Sequence, residues 1–167
     1  EAVASLDIDD YLRSLKMELQ VMPVAAANLP RVSSLVQKTN QFNLTTQRFS
    51  PAEIDVLAGN PDNYAYCFSV NDRFGASGIV AVLLARRDGA NLDIEIFLMS
   101  CRVFNRGLEF AIAEHLAVWA QGHGVGRIQG YYEPTEKNAL VADLYLRLGF
   151  VEADSAGDKR LFIAENV

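Results

Sequence analysis

Residues 102–107 read Arg-Val-Phe-Asn-Arg-Gly, and they stand where an apolar run, "LDIEIFLMS" (92–100), gives way to an amphipathic stretch at 107–121. Backbone N–H groups at a helix start, with glycine for close approach and arginines alongside, make a cradle for phosphate oxygens. The expected contacts come from Cys101, Arg102, Val103, Asn105, Arg106, Gly107 and Leu108. Asparagine is the next-best residue after glycine at positive φ, so Asn105 keeps the loop shape while placing a side chain near the anion. Arg102, Arg106, Arg127 and Lys137 are expected to make this end locally basic in a chain of formal charge −6. The bland alternative is a tight strand-to-helix connection, with Arg106 a solvated residue at a helix end that disfavours cations.

Other residues could carry a reaction. Asp93 and Glu95 share one face of the apolar run. If that face is covered, Glu95 is desolvated and suited to general-base work; otherwise the acids only set a cleft's polarity. Tyr145 lies on the stripe Val141, Leu144, Tyr145, Leu148, which places its ring in the core. Cys101 as a nucleophile needs a base, and His115, the helix-borne candidate, has a core position. Cys67 reads as packing, and the two cysteines show no metal spacing, so no metal is expected. "NQFNLTT" (40–46) sets amides and hydroxyls around a phenylalanine. Asn40, Phe42, Asn43, Thr45 and Thr46 can hydrogen-bond a polyol, or hold a helix–helix loop by Asx-type turns.

These residues need a scaffold. A chain of 167 residues, 50% hydrophobic and 22% charged, is one globular domain. Its acidic balance weighs against nucleic acid, which requires a basic face. No apolar run approaches the roughly 20 residues that span a bilayer, so no membrane is expected. The start, "EAVASLDIDD", does not resemble a basic and apolar leader, and two cysteines are too few for a disulfide framework, so a reducing, cytoplasmic setting is expected. Within it, Asp7 and Asp9 read as helix-start charges, not a phosphatase Asp-x-Asp motif, which needs a preceding strand.

Periodicity predicts a helix at 7–16, a strand at 17–24, and helices at 28–39 and 50–59, the second with Ser50 as cap and Glu53 completing a capping box. Strands follow at 64–72, 78–86 and 92–100, then a helix at 107–121 and a strand at 127–132. A helix at 136–148, ended by Gly149, and two short strands at 150–153 and 159–163 complete the order. The fold class is α/β, a mixed, mostly antiparallel twisted sheet flanked by helices.

From residue 17 onward this order resembles the GNAT, or acyl-coenzyme A N-acyltransferase, fold. Arg102-x-x-Asn105-x-Gly107 resembles that fold's pyrophosphate loop, and Asn138 followed by "LYLRLGF" (144–150) resembles its last helix. More closely, "KTNQFNLTTQRFSPAEI" (38–54), "FLMSCRVFNRGLE" (97–109) and "EPTEKNALVADLYLRLGF" (133–150) resemble the C-terminal domain of FkbH-like proteins. The resemblance implies that residues 1–16 are a linker helix from an upstream haloacid-dehalogenase-type domain, and that 17–167 are the GNAT-like domain. It implies a partner, an acyl carrier protein, and a reaction: a glyceryl group from 1,3-bisphosphoglycerate reaches the carrier's phosphopantetheine thiol in polyketide biosynthesis. Coenzyme A or that phosphopantetheine is the expected cofactor, held by the 101–108 turn and Asn138 in a cleft between residues 97–101 and 127–131. Glu95 is then expected to accept the thiol proton and Tyr145 to protonate the leaving thiolate. Asn40, Phe42, Asn43, Thr45 and Thr46 would meet the glyceryl group. A carrier-docking module without catalysis, and a coenzyme A-dependent N-acetyltransferase of a small amine, are the alternatives.

Overall fold

The computed structural model describes residues 18–72, 75–104, 106–153 and 157–165. The expected linker helix, Asp7 and Asp9, and Asn105 of the turn lie outside the described residues.

The sheet has seven strands, in the order β1-β2-β3-β4-β5-β7-β6. They are β1 (Glu18–Pro23), β2 (Tyr64–Asp72), β3 (Gly75–Asp88), β4 (Asn91–Met99), β5 (Arg127–Tyr132), β6 (Val151–Ala153) and β7 (Arg160–Glu165). Every pairing is antiparallel except β4 with β5. The middle strands read as near-continuous apolar runs because they are buried on both faces, as central strands between helical layers must be. On one face Val82, Leu84, Ile96 and Leu98 pack against α1 (Leu29–Lys38) and α2 (Pro51–Gly59). On the other, Leu83, Leu92, Ile94 and Phe97 pack against α3 (Leu108–Gly122) and the C-terminal segment.

Local chemistry sets the helix ends. Ser50 Oγ accepts from the Glu53 amide at 3.1 Å, and the Glu53 carboxylate accepts from the Ser50 amide at 3.3 Å, which completes the expected capping box. Asn28 stands at the start of α1 but spends its side chain backwards. Its Oδ1 accepts from Ala25 N and its Nδ2 donates to Pro23 O, which pins the turn out of β1.

Two expectations need correction. Residues 136–148 are not one helix: a 3-10 turn at Ala139–Val141 precedes α4, a single helical turn at Leu144–Arg147. The cause is Asn138, fully buried, whose Oδ1 accepts from Thr135 N at 2.8 Å. Thr135 Oγ1 in turn accepts from the amides of Lys137 and Asn138, so residues 133–138 close on themselves before a helix can start. Second, Arg127 is remote from the 101–107 turn. It pairs in register with Asn91, at the far end of β4, and holds Glu165 at 2.6 Å.

β4 and β5 pair over only three positions, Asn91–Asp93 against Arg127–Gln129. Beyond Asp93 the two strands part, as the expected cleft requires.

Candidate functional site

The register of β4 slips once. Leu84 faces Ile96 and Ala85 faces Ile94, so Glu95 is the extra residue of a β-bulge. Its carbonyl turns to accept from Thr45 Oγ1 and Gln47 Nε2, both at 3.0 Å. Its carboxylate lies 3.6 Å from Arg86 Nε and 3.4 Å from Gln47 Nε2, with a quarter of the side chain exposed. Glu95 is therefore a paired, part-exposed acid, whereas the general-base expectation depended on a covered face. Asp93 is the acid under strain. Its Oδ1 is buried without a hydrogen-bond partner among the described residues, and burial, then Glu95 and Asp88, raise its pKa. Burial, Asp93 and Glu95 raise the Tyr131 phenol from β5 in the same way.

The gap between β4 and β5 is filled by the chain itself. Met99 N donates to Phe42 O at 3.0 Å, and Leu44 N donates to Phe97 O at 3.3 Å. Asn43 bridges Leu98 in antiparallel sense, and Glu133 N, just past β5, donates to Leu44 O at 2.9 Å. Residues 42–44 thus run as a short added strand on the edge of β4 that faces β5. Phe42, Asn43, Leu44 and Thr45 are all at most 5% exposed, and the Phe42 ring packs 5.9 Å from Phe97 and 5.6 Å from Phe104. Asn43 Oδ1 accepts from Thr46 N, an Asx-type turn that carries Thr46 to φ 53°, while its Nδ2 donates to Thr39 O. Asn138 Nδ2 donates to Asn43 O and Glu133 O, both at 3.0 Å, and ties the added strand to the far side of the gap.

This corrects the substrate reading. Phe42, Asn43 and Thr45 are structural inserts, and Thr46 turns its hydroxyl onto Thr45 O. Asn40 accepts from Arg48 Nη2, a side chain that also donates to Val36 O and Thr39 O. Asn138, expected on the cofactor, has its amide engaged by the backbone of Thr135, Asn43 and Glu133 and by the Tyr132 hydroxyl.

The turn after β4 is a 3-10 turn, Cys101–Val103, started by Ser100. Val103 N donates to Ser100 O and Phe104 N to Cys101 O, so two N–H groups expected in the cradle are spent inside the turn. Gly107 starts α3 at φ 76°, a left-handed position where an added Cβ would meet open space; backbone conformation, not room, calls for glycine. Arg106 reaches across to Asp72 at 3.4 Å, and Leu108 is buried. Cys101 and Arg102 are exposed.

Tyr145 is sealed beneath β5. Its ring packs 5.1 Å from Phe150 and 5.6 Å from Phe162, and a Cβ on Gly130 would fall 2.5 Å from its Cζ. Burial pushes its phenol far up, and the hydroxyl finds no partner among the described residues. The ring borders a small apolar cavity of about 120 Å³ with Ile94, Phe97, Ile128 and Phe150. His115 does not meet Cys101: its Nδ1 lies 2.7 Å from Tyr64 OH, and its ring packs on Tyr64, Tyr66 and Phe68.

Outside the inserted strand lies an open groove of about 720 Å³. Lys38, Asn40 and Phe42 line it together with Met99, Cys101 and Lys137. Among the described residues no group of His, Cys, Asp or Glu side chains could hold a metal ion. The expected pantetheine arm does not fit the gap between β4 and β5 as it stands, because backbone and two apolar side chains of this chain fill it. The sequence offers one hint of this, the alternation Phe42-Asn43-Leu44, which is a strand's period of two over too few residues to stand out.

No family model matches the sequence, and no curated protein matches it. Solved structures do. An acetyltransferase of the GNAT family from Streptococcus pneumoniae aligns with TM-score 0.66 at 17% identity, covering 89% of this chain and 99% of that one. The GNAT domain of S. lividans PAT aligns at 0.68 and 15%, over 89% and 90%. An N-acetyltransferase, PaiA, from Thermoplasma acidophilum, solved in complex with coenzyme A, aligns at 0.71 and 9%, over 89% and 99%. The chain has the GNAT acetyltransferase fold.

Proposed function

We propose that this chain is the GNAT-type domain of an FkbH-like protein. In this reading it assists transfer of a glyceryl group, derived from 1,3-bisphosphoglycerate, to the phosphopantetheine thiol of an acyl carrier protein in polyketide biosynthesis. One observation carries the reading. The three stretches that resemble FkbH-like proteins, distant in sequence, all contribute lining to a single groove: Lys38–Phe42, Met99–Cys101 with Phe104, and Glu136–Lys137. The partners are the carrier protein and an upstream haloacid-dehalogenase-type domain of the same polypeptide, in the cytoplasm. The test is mass spectrometry of a holo carrier protein incubated with that upstream domain and 1,3-bisphosphoglycerate, with and without this chain. A mass gain of one glyceryl group that rises several-fold when the chain is added supports the reading. Equal loading without it sinks the assisting role.

The inserted strand favours a second reading, a docking module that presents the carrier arm and leaves the chemistry to the upstream domain. A catalytic version, with Glu95 as proton acceptor and Tyr145 as proton donor, requires residues 42–44 to leave β4 first. The same insert weighs against a coenzyme A-dependent N-acetyltransferase. Acetyl-coenzyme A with a panel of small amines tests that directly: turnover above buffer overturns the docking reading.

A further inference from the structure

The edge of β4 and the groove beside it make different offers to a ligand. We propose that a phosphopantetheine arm binds in the outer groove between Lys38 and Lys137, with Phe42 as part of its wall, and does not enter the gap between β4 and β5. This rests on the carrier-protein reading above and names the subsite for it.

Three observations support the assignment. First, the β4 edge is spoken for: the amide of Met99 and the carbonyl of Phe97 are both bonded to the 42–44 segment, whose side chains are buried. An arm entering there must break both bonds and expel Phe42 and Leu44 from the core. Second, the groove matches the arm's chemistry from end to end. Lys38 and Lys137 carry no ion pair among the described residues and offer ammonium groups to a phosphate. Half-buried Phe104, backed by the buried Phe42 and Met99, offers apolar surface to the methyl-bearing carbons, and Gln41 and Ser100 can meet the arm's amides. Third, its volume of about 720 Å³ lies within the usual range of small-ligand sites. Binding here is non-covalent, so no bond or electron changes hands.

The test uses the chain with free 4′-phosphopantetheine, with pantetheine lacking the phosphate, and with holo carrier protein, by titration calorimetry and amide exchange. The expected result has four parts. Phosphopantetheine binds at least tenfold tighter than pantetheine. The double variant Lys38→Gln/Lys137→Gln loses about tenfold or more for both phosphopantetheine and the holo carrier. Arg127→Gln, which removes one positive charge at the opposite end of the sheet, loses nothing. The Leu44 amide stays protected from exchange in the complex.

Binding that strips protection from Leu44 overturns the groove and puts the arm in the gap, with the carrier reading intact. Binding indifferent to both lysines also overturns the groove alone. No binding of either phosphopantetheine or holo carrier by the wild-type chain overturns the groove and the carrier reading together. Both lysines are exposed, so the variants test binding and not folding, and a melting curve verifies it.

Discussion

The carbonyl of Phe42 accepts the amide of Met99 at 3.0 Å at the far end of the gap that opens between β4 and β5 beyond Asp93. That single bond gives the edge of a parting sheet an internal partner. Open strand edges invite pairing from outside, and this one is closed by the chain's own residues 42–44.

Leu44 is the measure of how firmly that closure holds. It is 1% exposed, so Leu44→Ala removes buried apolar volume from a site hemmed in by β4 and the end of β5. The expected cost is about 2–5 kcal/mol. Urea denaturation gives the loss, and amide exchange at Met99 should quicken by more than global unfolding explains. Uniform quickening across the sheet would mean that the segment is not a separate unit.

Asp93 trades stability for a charge. Burial, Glu95 and Asp88 raise its carboxyl above the usual 3.8, so the folded state binds that proton more tightly than the unfolded chain. The destabilisation is fully present above the folded pKa and is relieved as pH falls through it towards 3.8. Asp93→Asn should therefore be more stable than wild type at pH 7, by about 1 kcal/mol or less given partial solvent screening. The advantage should shrink as pH falls through that window. Urea midpoints at pH 7 and pH 4 check both the sign and the trend.

His115 works in the opposite direction. Desolvation lowers its pKa below 6.5, so the unfolded chain binds the proton more readily. Stability is fully present above 6.5 and is lost as pH falls from 6.5 through the folded pKa. Tyr64 OH lies at hydrogen-bond distance from Nδ1, and burial keeps that phenol protonated. His115→Gln should flatten the melting temperature between pH 7.5 and 5.5, where wild type declines. An equal slope in both proteins would place the titrating group elsewhere.

Tyr145 separates structure from chemistry. Its hydroxyl is buried and unpartnered among the described residues, so Tyr145→Phe should leave stability unchanged or raise it by about 1 kcal/mol. Glyceryl loading of the carrier, if unaffected, assigns the residue to packing against Gly130; a fall of tenfold or more assigns its proton a role in transfer.

The legible part of this molecule was whatever repeats locally. The capping box at Ser50, the apolar runs of β2 to β4 and the amphipathic face of α3 follow from residues within a few positions of one another. The C-terminal stripe misled for a physical reason: Val141, Leu144 and Tyr145 are indeed buried together, but Asn138 and Thr135 wind the chain into a turn that a continuous helix would have to undo. The site was harder still. Phe42 and Leu44 meet partners more than fifty residues away, and the slip that isolates Glu95 depends on the neighbouring strand's register, which one strand's own residues do not encode.

The tie between Asn43 and Asn138 spans 95 positions of chain, and that span has a consequence during synthesis. A ribosome adds roughly 5–20 residues per second. For about 5–20 s after Asn43 is made, the side of the gap built from β5 and the Asn138 turn does not exist. Residues 42–44 must wait as an exposed apolar segment, first without β4 and then with β4 alone. The insert is among the late contacts of this domain, and the nascent chain carries Phe42 and Leu44 without their full cover until the Asn138 turn has emerged.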